Sequence, residues 1–461
     1  MTVRTRMAPS PTGEYHIGHI RTVLYNWAFA KKHEGKFIIR IEDTDRVRYI
    51  EGAMDKILDI IIDYGFTWDE GPRVGGAYGP YMQSERLEIY KKYALELVAK
   101  KAAYYCFCTV ERLEKMRDEQ RAKGITATKY DKHCLMLTPE AVEKKLQENI
   151  PYVIRLNVIP DKTISFHDEV FGDVQVSSND IDDQVLLKSD GFPTYHLGVV
   201  VDDHLMEITH VMRGNDWIPS TPKHVILYNA FGWELPVYIH LPNLKEKGET
   251  KKLSKRFGPV AAREFLDEGY LPEATVNFLM LLGWNPGTDK EIYTTEEFVR
   301  DFDVKKIHKT DLVSFDRQKL TWMNGYYIQH VQIKQLMKKL EVFYKDDKEV
   351  LTILQSQNGE ALVLLAQTRM KTLKEFRELV VSIPIAFTDS DTLIVKDIKQ
   401  TFEKLSAWKS EDILEALRGI LKKHGIKMNT VYRLLTGRDV GLPLPEYLES
   451  IPKEEILKRL T

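Results

Sequence analysis

Cysteine is scarce in this chain: there are 3 in 461 residues, an odd number and too few for a disulfide framework. A reducing, cytoplasmic setting is the simplest expectation. No run of about eighteen apolar residues occurs, so no membrane-spanning helix is expected. The opening MTVRTRMAPS carries early arginines and no apolar core region, which argues against a secretory signal. Neither sign of charge dominates, since 66 Lys+Arg stand against 68 Asp+Glu for a formal net charge of -2. That balance neither demands nor excludes a nucleic acid, because a large protein can hold one on local basic stripes. Low-complexity tracts and internal repeats are missing as well. What is there, 43% hydrophobic and 29% charged, is the composition of an ordinary soluble globular protein. Its length suits about three domains or somewhat more.

The first sixty residues alternate. Residues 2–7 (TVRTRM) predict a strand, and Pro9, Pro11 and Gly13 then force a loop. From Ile17 the pattern turns helical, with Ile20, Val23, Leu24, Trp27 and Ala28 on one face and Gly35 as the expected C-cap. Residues 37–41 (FIIRI) predict a buried strand, EDTDR its polar exit, and residues 50–64 a second amphipathic helix. This β-α-β-α order argues for a parallel sheet with crossover helices. The stretch from about 101 to 190 holds all three cysteines and short strands such as 152–158 (YVIRLNV), and it predicts an α+β insertion. The β-α-β style returns over 191–214. Helical periodicity dominates beyond about 240, and from about 325 almost nothing else is visible. That last third carries slightly more Lys and Arg than Asp and Glu.

Two segments carry chemistry. Pro9-Ser10-Pro11-Thr12-Gly13-Glu14-Tyr15-His16-Ile17-Gly18-His19 joins a strand to a helix, the place where open α/β sheets bind nucleotides. A helix N-terminus offers free N–H groups and positive partial charge to phosphate. Gly18 would let a flat adenine approach the backbone. His16 and His19, three apart, share a helical face, and both can donate to phosphate oxygens. Far downstream lies Lys251-Lys252-Leu253-Ser254-Lys255-Arg256-Phe257-Gly258. Alone, such a run reads as a solvated patch. Opposite a phosphate-binding helix it becomes a mobile source of positive charge, since lysine is a compact cation on a flexible stem. Near the predicted strand exits stand Arg6, Arg213 and Glu42. The guanidinium groups fit carboxylates in a planar fork, and Glu42 fits an ammonium. Each alone also fits an ordinary surface salt bridge.

The first segment resembles the HIGH motif of class I aminoacyl-tRNA synthetases, intact as His16-Ile17-Gly18-His19. The second resembles their KMSKS motif as Lys252-Leu253-Ser254-Lys255-Arg256. The wording RMAPSPTGEYHIGH, RIEDTDR, GFPTYHLGVVVDDHLMEITHVMRG and FDRQKLTWMNGYYI is similar to the bacterial-type glutamyl-tRNA synthetases, and the similarity runs on to the closing GLPLPEYLESIPKEEILKRL. The resemblance implies an α/β fold: a Rossmann-type parallel-sheet catalytic domain with an α+β insertion, followed by all-α C-terminal domains. It implies catalytic segments at 1–100 and 191–240, an acceptor-binding insertion at 101–190, a stem-contact domain at 241–324 and a helical anticodon-binding region at 325–461. The implied reaction uses ATP, Mg2+ and glutamate to make a glutamyl-adenylate, then passes the glutamyl group to the 3′-terminal adenosine of tRNA. In that family the first step generally waits for bound tRNA.

By family position His16, His19, Lys252 and Lys255 are the catalytic groups, with Gly18, Trp217, Ser254 and residues 241–244 around the nucleotide. Arg6, Ser10, Glu42, Tyr195 and Arg213 line the glutamate pocket; which arginine takes which carboxylate stays open. Cys106 and Cys108, with Cys134 downstream, can supply thiolates to zinc, the other reading being three reduced structural cysteines. The fourth ligand is His133, Tyr130 or water. The resemblance to a C-x-C…Y-x-x-x-C version of the site implies Tyr130. Arg369 and Lys371, and beyond them Arg433 and Arg438, are candidate anticodon contacts, each also readable as an ordinary helix-surface charge. A monomer is the default assembly. Competing readings are a glutamyl-Q-type enzyme, which lacks a helical tail, a glutaminyl enzyme, an inactive tRNA-binding paralogue, and a small-molecule nucleotidyltransferase. Whether tRNA-Glu alone or also tRNA-Gln is charged stays open.

Overall fold

Strand β1 (Arg4–Met7) and strand β2 (Lys36–Ile39) pair in parallel, joined by helix α1 (Ile17–Lys32). The computed structural model describes residues 2–460 apart from 254–257, 259, 382, 384 and 386. Ile20, Val23, Leu24 and Ala28 of α1 are fully buried, as their spacing predicts. Gly35 is not the helix terminator that the sequence suggests. The helix ends at Lys32, and Glu34 takes the left-handed conformation (φ 51°). The Glu34 N–H then donates to Lys31 O (3.1 Å) and the Gly35 N–H to Ala30 O (2.8 Å), closing a Schellman motif. Glycine is required at 35 for another reason: a Cβ there would lie 2.2 Å from the Val3 carbonyl oxygen.

After α2 (Ala53–Asp63) and α3 (Leu87–Ala99), β3 (Ala103–Cys106) leads into α4 (Val110–Ala122) and α5 (Pro139–Gln147). Strands β4 (Val153–Leu156), β5 (Thr163–Asp168), β6 (Gly172–Ser177) and β7 (Val185–Leu187) follow. The chain continues through α6 (Tyr195–Leu205), β8 (His210–Gly214), α7 (Thr221–Phe231), β9 (Val237–Leu241) and β10 (Asn243–Glu246). A four-stranded sheet runs β6-β5-β9-β8, parallel except at the β5–β6 hairpin. The Thr209 N–H donates to Arg4 O (3.0 Å) and sets β1 beside β8. Connections leave β1 and β8 toward opposite sides, which makes their C-terminal ends a topological switch point, where such sheets bind ligands.

The insertion is less separate than the sequence suggests. Strands β3, β4 and β7 form an antiparallel sheet whose Ala103, Ile154, Leu156 and Leu187 share one core with Leu97, Leu197, Val200 and Leu227. Strand β5 belongs to the catalytic sheet itself, through Asp168 opposite Tyr238.

Helices α8 (Ala262–Asp267), α9 (Pro272–Met280) and α10 (Thr295–Asp301) precede β11 (Leu312–Phe315), which pairs in parallel with β10. Helix α11 (Arg317–His330) opens the all-helical remainder. It continues as α12 (Ile333–Phe343), α13 (Lys348–Leu354), α14 (Gly359–Gln367), α15 (Glu375–Val380), α16 (Thr392–Glu403), α17 (Ser410–His424), α18 (Met428–Thr436), α19 (Leu444–Glu449) and α20 (Lys453–Arg459). Packing divides the chain into two units: Met1–Arg263 with Val276–Phe315, and Glu264–Thr275 with Asp316–Thr461. The packing break in this stretch falls at 316. Residues 264–275 join the helical unit because Leu271 N–H donates to Asn324 Oδ1 (2.8 Å) and Leu373 N–H to Gly269 O (2.9 Å). Among the described residues no helix is long and apolar enough to cross a membrane.

Gly35→Ala should lower unfolding stability by about 1–3 kcal/mol, the usual penalty for overpacking, read as a reduced denaturation midpoint. The Cβ meets backbone, which cannot swing aside.

Candidate active site

A cleft of about 470 Å³ opens at the C-terminal ends of β1 and β8, lined by Arg6, Ser10, Glu42, Tyr195, Arg213 and Trp217 together with His19 and the 7–15 loop. The loop is held by backbone bonds: Arg40 N–H donates to Met7 O and Glu42 N–H to Pro9 O, both at 3.0 Å. All five sequence-derived glutamate-pocket residues therefore share one wall system.

His16 caps α1. Its Nδ1 accepts the Gly18 N–H at 2.9 Å, so in the neutral ring the proton sits on Nε2, which is a donor. The His16 and His19 rings stand 6.2 Å apart, edge to face, and Tyr15 lies 4.9 Å from His19. The cleft walls desolvate His19 and push its imidazolium pKa down, against an opposing pull from Asp216. Gly18 leaves a space bounded by His16 Nδ1 (3.1 Å from a hypothetical Cβ) and Leu244 Cδ1 (3.6 Å). The second motif arrives beside the first. Leu253 N–H donates to Leu244 O (2.8 Å), Lys245 bridges Lys252, and Lys252 Nζ lies 3.3 Å from Asp216. Past the loop, Val260 O accepts Ile17 N–H (2.9 Å) and Ala262 N–H donates to Tyr15 O (2.7 Å). Ser254 and Lys255 lie outside the described residues.

The two candidate arginines differ in a way the sequence does not reveal. Arg6 is already paired: its Nε is 3.2 Å from Asp203 Oδ1 and its Nη2 3.2 Å from Oδ2. Asp203 also takes Arg40 Nη1 (2.8 Å), and Arg40 Nη2 reaches Glu42 (3.1 Å). Burial would push the Asp203 carboxyl up, but Arg6 and Arg40 outweigh it and hold its pKa low. Glu42 is pushed up by burial, with Arg40 and Arg6 opposing. Arg213, by contrast, has no carboxylate at ion-pair distance among the described residues. Its bonds go to Thr221 Oγ1 (2.8 Å), Tyr195 Oη (3.1 Å) and His240 Nε2 (3.1 Å). Trp217, half-exposed, tilts over Tyr195 with centroids 4.3 Å apart.

Sequence reasoning missed Arg40, Asp203, Thr221, His224 and His240. One signal was available: Asp202 and Asp203 follow the apolar run VVV inside one helix, and buried acids must be paired.

Three thiols gather at the end of β3. The Sγ atoms of Cys106, Cys108 and Cys134 lie within 4.8 Å of one another. Tyr130 Oη is 3.4 Å from Cys106 Sγ and 3.2 Å from Cys108 Sγ. His133 is exposed, its backbone N–H donating to Asp131 (3.2 Å). Of the anticodon candidates, Arg369 is exposed, while the Lys371 stem packs against Gly325. Arg433 pairs with Asp391 (2.8 Å) and Arg438 donates to Val381 O (2.6 Å), so both tie the helical unit together.

With this geometry in place, sequence comparison decides the family: the catalytic-domain profile of the tRNA synthetases class I (E and Q) matches residues 2–322. The chain belongs to that family. A profile for an anticodon binding domain matches residues 333–461. A glutamate–tRNA ligase of Clostridioides difficile (strain 630) is 42% identical, covering 100% of this chain and 98% of that protein. One of Clostridium novyi (strain NT) is 48% identical over 82% of this chain and 76% of its own length. A glutamate tRNA ligase from Elizabethkingia meningosepticum, solved in complex with its amino acid, superposes with a TM-score of 0.86 at 34% identity, covering 100% of this chain and 98% of that one.

Asp203→Asn should cost about 3–5 kcal/mol, since it leaves the buried Arg6 without its carboxylate and removes one of those around Arg40; urea unfolding measures it. Because the carboxyl's pKa is depressed, its contribution is complete at neutral pH and fades only as pH falls below ~4.

Proposed function

We propose that this protein is a glutamate–tRNA ligase. The observation that supports this reading is the cleft lined by His19 of the capped helix and by Arg213, with Lys252 held nearby against Asp216. Arg213 takes a glutamate carboxylate, helped by Tyr195 and Ser10, and Glu42 takes the ammonium. The reacting carboxylate oxygen attacks the α-phosphorus of MgATP; the bond to the β,γ-pyrophosphate breaks, and pyrophosphate leaves. His16 Nε2 and His19 donate to phosphate oxygens at the positive end of α1. Lys252, with Lys255 of the same motif, stabilises charge on the leaving group. Gly18, Leu244 and Trp217 border the adenosine. A terminal ribose hydroxyl of tRNA then attacks the glutamyl carbonyl, loses its proton, and AMP departs. No side chain is required as nucleophile, so alignment and charge neutralisation carry the rate.

The helical unit reads tRNA, consistent with the match to an anticodon binding domain. That match disfavours a glutamyl-Q-type enzyme, which lacks this region. Arg369 is the exposed cation available to an unstacked base; Lys371 offers its ammonium beside it. The stem-contact role falls to 241–324 and the acceptor end to the insertion. The protein acts as a monomer in the cytoplasm.

We further propose that Cys106, Cys108, Cys134 and Tyr130 hold a structural zinc. Three sulfurs and one phenolic oxygen converging from two segments suit a tetrahedral site. When bound, the metal would cross-link residues 106–108 to 130–134.

Pyrophosphate exchange tests the main reading. Exchange requiring glutamate, ATP and tRNA together is expected, and glutamine should not replace glutamate. Arg213→Ala should lower kcat/KM for glutamate by at least ~100-fold, the scale of a lost charged hydrogen-bonded pair. Exchange with glutamine alone would refute the assignment. Charging purified tRNA-Glu and tRNA-Gln separately decides between the two acceptors. For the metal, elemental analysis should give one zinc per chain, lost with a lowered melting temperature in Cys108→Ser; a zinc-free protein with unchanged melting would refute it.

A further inference from the structure

Arg213 is held without a carboxylate in contact among the described residues. Its Nε–H donates to His240 Nε2 at 3.1 Å. The other ring nitrogen, His240 Nδ1, lies 2.6 Å from Asp168 Oδ2. Asp168 and His240 are both completely buried. The remaining capacity of the carboxylate is filled: Oδ1 accepts the N–H groups of Val170 (3.0 Å) and Phe171 (2.9 Å), and Oδ2 also accepts the His240 N–H (3.1 Å). An ionised carboxylate only accepts, so Nδ1 must carry the proton. In a neutral ring Nε2 is then a lone pair, which is what the Arg213 Nε–H needs.

We propose that Asp168 and His240 form a positioning pair that fixes Arg213 for the substrate carboxylate, and that glutamate affinity is set through them. The inference rests on the ligase reading above. The imidazole acts as a spacer. It passes the orientation imposed by Asp168 to the guanidinium while keeping the carboxylate one ring away. Direct contact would resemble the Arg6–Asp203 arrangement, in which an incoming carboxylate has to compete with an internal one. Thr221 Oγ1, Tyr195 Oη and, at 3.5 Å, His224 Nδ1 complete a cradle of neutral groups. Asp168 comes from β5, in the segment that the sequence assigns to the insertion. That segment therefore supplies a support of the amino-acid pocket as well as its own sheet.

The test uses the full-length protein with tRNA present, and reads KM for glutamate, KM for ATP, kcat and melting temperature. In Asp168→Asn the amide keeps its oxygen on the turn N–H groups and turns its NH2 toward His240. The ring must then accept at Nδ1 and present Nε2–H to Arg213. KM for glutamate is expected to rise about tenfold or more while KM for ATP stays within about twofold, as loss of one buried charged hydrogen bond predicts. In His240→Gln the side-chain oxygen can stand where Nε2 stood and accept from Arg213 without help from Asp168. KM for glutamate should rise less than about threefold, and adding Asp168→Asn should produce little further change, the non-additivity expected of groups acting in series. A merely structural role would lower melting temperature and raise both KM values together, which would overturn the proposal. So would independent, additive effects of the two substitutions, or an unchanged KM for glutamate in Asp168→Asn. A wild-type protein with no glutamate-dependent exchange would overturn the ligase reading and this proposal with it. A wild type active as expected beside an unaffected Asp168→Asn would overturn this proposal alone.

Discussion

Backbone pairing between residues 15–17 and 260–262 is the constraint on which the site depends. Tyr15 O and Ile17 N–H each bond across to Ala262 and Val260, and His16 bridges Ala261. These bonds tie the start of α1 to the chain beyond the lysine motif, some 240 positions downstream. Without them the start of α1 and the segment that carries Lys252 would have no such direct backbone tie. Arg21 reinforces the tie from inside α1, donating to Leu282 O (3.1 Å) and to Pro242 O. Burial lowers its pKa to about 10, still high enough to keep the charge at neutral pH.

Around that tie the protein sorts its buried arginines by partner. Arg4 is closed by Glu70 at 2.7 Å. Arg86 is closed by Asp202 at 2.8 Å, and Arg6 with Arg40 by Asp203. These pairs offset the large cost of burying a charge and leave little attraction for anything else. Arg213 sits instead among the acceptors of Thr221, Tyr195 and His240. Asp203 and the Arg40–Glu42 bond link the closed pairs to Glu42 in one network.

Much of the fold was legible from local pattern. The alternation over the first sixty residues, the helical tail beyond 325, and the strand-to-helix position of His16–His19 all follow from periodicity and punctuation, which act over a few residues. Boundaries read less well. Gly35 looked like a helix stop because glycine commonly ends helices, but a close approach of Val3 demands it. Arg433 and Arg438 looked like free cations on helix surfaces, and Asp391 and the Val381 carbonyl had already claimed them. The insertion looked separable because its cysteines and short strands differ from their surroundings, yet Asp168 sits in the catalytic sheet.

The sequence by itself determined the kinds of chemistry available: a helix start able to bind phosphate, a cationic loop, guanidiniums near strand ends, and thiols at metal-binding spacing. Each is a property of neighbouring residues and survives without knowledge of the fold. Only the tertiary structure decided which guanidinium is neutralised and which stays open, and which phenol stands with the thiols. It also decided that an aspartate from the inserted segment reaches, through His240, an arginine two strands away. Such partnerships join residues dozens to hundreds of positions apart, and their energies depend on distances of a few ångströms that no local pattern encodes.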